Sequence, residues 1–176
     1  MHRFALPFAL LVTPHMVMAA DDVSPVTMLD YGVICDIKLG GTEPAPDTAS
    51  GVINLIDQKK EVDVATAFVP AHIGLSFGLR TVLRDETELN GAKMRIIHPP
   101  MGPDGITQQS WHAPMRGNDP LVNLYSFETD DELVLGLWTF QLIHEGKVLI
   151  EQGFQVLPQG SVAEVQQVCF GLSLTS

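Results

Sequence analysis

The sequence predicts an all-β domain, an immunoglobulin-like β-sandwich of about seven to nine mostly antiparallel strands. Three observations carry that prediction. From Met28 onward apolar and polar residues alternate, where a helix would repeat its apolar residues every third or fourth position. Turn residues interrupt the alternation about every eight to fifteen positions. The 176 residues are 45% hydrophobic and 18% charged, which suits one core and one domain.

Tyr31, Val33, Cys35, Ile37 and Leu39 share one face of the first expected strand, which turns Cys35 inward. Glu43, Pro44, Ala45, Pro46 and Asp47 are expected to interrupt the sheet. Residues 52–56 and 62–69 then read as a hairpin about Lys59 and Lys60. Ile73, Leu75, Phe77, Leu79 and Leu83 form the buried face of the next strand, opposite Gly74, Ser76, Gly78 and Arg80. Met94, Ile96 and His98 point together in a strand ending at Pro99 and Pro100, and the chain returns over residues 106–113 after a Gly-Pro-Asp-Gly turn. A further strand covers residues 121–127.

Residues 137–156 form the clearest hairpin. A three-residue loop of His144, Glu145 and Gly146 pairs Ile143 with Lys147. It places Trp138, Phe140 and Leu142 on one face with Val148, Ile150, Phe154 and Val156. A two-residue turn would set Trp138 and Phe140 beside Lys147 and Glu151, so the longer loop is expected. In the tail, residues 161–164 fit the cap of one helical turn and residues 168–174 fit a short edge strand; both readings stay open.

His2 and Arg3, an apolar stretch over residues 4–12 and small residues before Asp21 follow the pattern of a secretory signal peptide. Residues 1–19 are therefore expected to be removed, leaving residues 20–176 as a single domain, periplasmic or secreted, with no transmembrane segment. Acidic residues outnumber basic ones by 21 to 10, a formal charge of -11, which argues against a grip on nucleic acid. In an oxidising compartment Cys35 and Cys169 are expected to be joined, with Cα atoms about 4.4–6.8 Å apart.

Residues 69–80, 98–101, 131–140 and 146–156, with residues 43–51 also in keeping, resemble a bacterial family known as the domain of unknown function 3859. The likeness runs over about residues 30–156 and leaves a C-terminal extension of residues 157–176. It implies a β-sandwich in an exported or envelope setting and no particular activity. Cys169 lies beyond it, so the disulfide rests on this sequence alone.

The most suggestive chemistry is a doubled His-x-x-Met: His98 with Met101, and His112 with Met115. Imidazole and thioether together suit copper. A plain hairpin puts His98 opposite Thr107 and separates the two histidines by about 16 Å, at about 3.3 Å per residue, so one ion cannot bridge them. Packed side chains at strand ends are the preferred reading. The acidic residues Glu128, Asp130, Asp131 and Glu132 match no calcium loop and are expected to be a solvated turn. Trp138 falls on the core face, and Trp111 alone makes no aromatic platform.

There is no H-E-x-x-H and no cysteine beside a histidine, so no catalytic residue is nominated and no enzyme is expected. No cofactor is expected either. Two readings of function stand. One is a non-enzymatic binding or assembly module of the envelope, engaging a protein partner through loops or an edge strand. The alternative is handling of copper or another metal through the His/Met pairs.

Overall fold

The alternation from Met28 onward resolves into strands whose inward residues meet in one core. A computed structural model describes residues 24–85 and 88–171. The expected signal peptide lies outside the described residues, as does the end of the tail. In chain order the strands are β1 (Val26–Ile34), β2 (Leu39–Pro44), β3 (Val52–Ile56), β4 (Phe68–Pro70), β5 (Ser76–Leu83) and β6 (Glu88–Leu89). They continue as β7 (Lys93–Met101), β8 (Ile106–His112), β9 (Met115–Arg116), β10 (Leu121–Ser126), β11 (Gly136–His144) and β12 (Lys147–Leu157), before helix α1 (Ala163–Phe170).

Two sheets face each other, one ordered β1-β5-β10 and the other β4-β12-β11-β7-β8. All of their pairings are antiparallel except β4 with β12. The first strand thus begins one sheet and the chain then switches to run parallel beside the last strand of the other. That order is immunoglobulin-like, as the strand count led us to expect. The β2–β3 pair and the short β6–β9 pair are separate two-stranded sheets.

Phe77 of β5 sits at the centre of the core, its ring 5.3–6.0 Å from those of Tyr125, Phe127, Trp138, Phe140 and Phe154. Trp138, Phe140 and Phe154 are fully buried. Antibody domains cross this region with a disulfide between sheets. Here aromatic rings fill it, and the Cys35–Cys169 bridge lies at the periphery, with Cα atoms 5.0 Å apart as expected.

Several elements differ from expectation for physical reasons. The first strand starts at Val26 and ends at Ile34, leaving Cys35 just past its end and Leu39 exposed on β2. Residues 52–56 do not pair with 62–69. They pair back onto β2, with Pro44 opposite Val52 beside the turn, where a missing N–H is harmless. Residues 62–69 instead cross β1 through Val64, whose carbonyl accepts the Val33 N–H at 2.9 Å. Ile73 lies outside β5 and is exposed, while Leu75, Phe77, Leu79 and Leu83 are buried. Strand β7 passes through Pro99 and Pro100 to Met101, because the register with β8 shifts there and no ladder N–H is required of the prolines.

The β11–β12 turn has two residues, not three: His144 pairs with Lys147, and Glu145 and Gly146 both have positive φ, at 49° and 78°. A bulge after Leu142 then moves the register by one, so Leu142 pairs with Ile150 and Trp138 with Phe154. The turn and the bulge each shift the register by one, and together they restore the parity that keeps Trp138, Phe140 and Leu142 inward. Val148, on the turn side of the bulge, is exposed. In the tail the helical reading holds through Phe170, where Gly171 ends α1 in the left-handed conformation with φ 64°. Residues 168–170 are therefore helical rather than an edge strand.

Candidate functional site

The four His/Met donors are placed by strand register and do not come together. Lys93, five residues before His98 on β7, pairs with His112, and the register shifts between Ile97 and Met101, so the two histidines lie toward opposite ends of the β7–β8 pairing. His98 is buried, its ring stacked on Trp138 at 4.6 Å. Met101 is buried and its sulfur accepts the Tyr125 hydroxyl at 3.4 Å. His112 is exposed on β8, whereas Met115 is buried in the core. Among the described residues no group of three or more His, Cys, Asp or Glu is placed to hold a metal ion.

His98 has a different task. Gln109 Oε1 accepts the Ala49 N–H at 2.8 Å, which fixes Nε2 as the amide nitrogen that donates to His98 Nε2 at 3.2 Å. His98 Nδ1 must then carry the proton, and it donates to the Pro99 carbonyl at 2.9 Å. Burial holds the imidazole below its ordinary value, while the Pro99 bond opposes that in part. A neutral histidine thus anchors Gln109, which anchors the turn after β2.

That turn is one end of an arch. Strands β8 and β10 are the free edges of the two sheets on the same flank, and the exposed β2–β3 hairpin spans the gap between them. Asp47 accepts the Ser110 N–H of β8 at 3.0 Å. Gln58, after β3, accepts the Val122 N–H of β10 at 2.8 Å, and Asn54 donates to Glu128 at 2.6 Å. Beneath the arch lies a cleft of about 260 Å³. Its floor carries Gln109, Trp111, Asn123 and Tyr125, and its walls include Ile53, Leu121 and Val122.

The cleft is acidic. Glu43, Glu128 and Glu132 line it, and among the described residues no lysine or arginine does. Glu132 ends a single 3-10 turn, Asp130–Glu132, and its carboxylate folds back to accept the Thr129 N–H at 3.0 Å. The expected solvated turn is therefore present, with two of its carboxylates facing the cleft. Burial, then the Glu132 charge, pushes the Tyr125 phenol well above its ordinary value, so it stays a protonated donor. Trp111 donates to Asn123 Oδ1 at 3.1 Å, which leaves Asn123 Nδ2 buried without a partner among the described residues.

Sequence reasoning missed Asn54, Gln58, Gln109 and Asn123. The available signal was a polar residue at an inward position: Asn123 alternates between Leu121 and Tyr125 on a strand facing the core. The family comparison adds a boundary. The model of a Domain of unknown function (DUF3859) matches residues 23–156. The chain belongs to this family. Every residue of the cleft falls inside the DUF3859 span, whereas α1 and Cys169 lie beyond it. The match begins near the start of β1, earlier than the residue 30 at which the sequence resemblance begins. The chain is also similar to a crystal structure of an immunoglobulin-like protein from Pseudomonas aeruginosa. The two are 22% identical, covering 77% of this chain and 99% of that chain at a TM-score of 0.46. No curated protein matches the chain.

Proposed function

We propose that this DUF3859 protein is a non-enzymatic binding module of the bacterial envelope, periplasmic or secreted, which engages a partner protein in the cleft under the β2–β3 arch. The observation that carries this reading is the arch itself. It is held across two free sheet edges by three side-chain hydrogen bonds and one backbone bond rather than by a continuous ladder, and it encloses a cleft with a buried donor unpaired among the described residues. Export is supported by the signal-like pattern of residues 1–19 and by a disulfide, which persists in oxidising compartments. Among the described residues no helix is long and apolar enough to cross a membrane.

Photo-crosslinking in intact envelopes tests the proposal. A crosslinking residue at Leu55, on the rim of the cleft, should give a discrete protein adduct, and one at Phe68, on the outer face of the other sheet, should not. Equal yields from both positions would sink the assignment to the cleft. N-terminal sequencing of the envelope fraction should begin at Ala20 or Asp21.

A further inference from the structure

We infer that the cleft takes an extended peptide that adds as a strand to the free edge of β10, with basic side chains directed at the acidic rim. This rests on the binding reading above and names the partner's chemistry. A strand that turns its face to a cavity lines it with every second residue. Here all of residues 52–56 and all of residues 121–126 line the cleft, so β3 and β10 present their edges.

The direction of the β10 edge follows from one hydrogen bond. Val122 points its N–H away from β5 to the side-chain carbonyl of Gln58, so by alternation Leu124 and Ser126 turn their backbone groups the same way. The Gln58 amide occupies the position that a peptide carbonyl takes in strand addition. Asn123 supplies a second, independent indication. It is 4% exposed, its Oδ1 is held by Trp111, and its Nδ2 has no partner among the described residues, which costs the unliganded protein and would be relieved by a peptide carbonyl. Glu43, Glu128 and Glu132, in a chain of formal charge -11, select basic side chains over acidic ones.

The test uses the purified, disulfide-intact chain and three acetylated, amidated hexapeptides. The first alternates valine and lysine, the second replaces lysine by glutamate, and the third carries proline in place of a central valine of the first. Calorimetry at low salt should show the valine–lysine peptide binding, and the other two weaker by about tenfold or more. Amide resonances of Leu124 and Ser126 should shift on binding. The E43Q/E128Q variant, whose substitutions keep side-chain shape on exposed residues, should lose about fivefold of the preference for lysine over glutamate. No binding of the valine–lysine peptide, equal binding of all three, or shifts confined to other strands would overturn the inference and leave the arch as a guard of the β10 edge. Crosslinks at Leu55 in envelopes without peptide binding would keep the broader reading and remove this one.

Discussion

The two flanks of this sandwich are closed in different ways. On one flank β1 and β4 end their sheets, and residues 63–64 bond to the backbone of Val33 there. The Ala71 N–H bonds to the Leu157 carbonyl, Val165 of α1 is fully buried, and the disulfide fastens α1 to the end of β1. On the other flank β8 and β10 are bridged by the β2–β3 hairpin, every residue of β2 is exposed, and three of the four bonds described across the gap use a side-chain amide. Covalent and backbone ties hold one geometry. Side-chain amides can exchange a backbone partner for a ligand at little net cost, so the second flank is where a partner can enter.

The largest way to break this contrast is to open the closed flank. Replacing both cysteines by serine releases a loop spanning 134 residues and should cost about 2–5 kcal/mol, read from urea midpoints, while peptide binding at pH 7 stays as it was. If the double variant lost binding at a temperature where it is folded, the flanks would not be independent. Next comes the seam beside the cleft. A Cβ at Gly78 would lie 2.0 Å from the Asn123 carbonyl oxygen, a backbone atom that cannot swing aside. Gly78→Ala should therefore cost about 3 kcal/mol and loosen β10, seen as faster amide exchange in residues 121–126.

A milder perturbation acts on the arch alone. Gln109→Leu leaves the Ala49 N–H and His98 Nε2 without Gln109 and should cost about 1–2 kcal/mol, with exchange rising at residues 47–51 but not at α1. Acid should act on the same link with smaller effect. Because burial lowers the native pKa of His98, the unfolded chain takes up that proton first. Its contribution is complete above about pH 6.5 and is lost as pH falls from there through the lowered native value. A urea midpoint that drops between neutral pH and pH 5, and drops less in His98→Gln, is the expected result. The smallest effect belongs to neither flank. Glu145 holds φ 49° in the β11–β12 turn, so Glu145→Asn should raise stability by about a few tenths of a kcal/mol and change neither exchange pattern.

The sequence by itself determined the layers of this protein. Alternation places Phe77, Leu79, Met94, Ile96, Trp138 and Phe140 inward because burial of one strand face is a local, period-two property. It also paired the cysteines, because only two exist. Only the tertiary structure decided how strands are shared. Residues 52–56 could pair forward or back with equal local sense, and the choice of β2 depends on what the hairpin meets across β8 and β10. The bulge after Leu142 is equally invisible, since two single-residue shifts cancel in the pattern of burial. The cleft belongs to this second class: Gln58, Gln109 and Asn123 lie far apart in the chain, and their side chains acquire a common purpose only where two sheet edges and an arch converge.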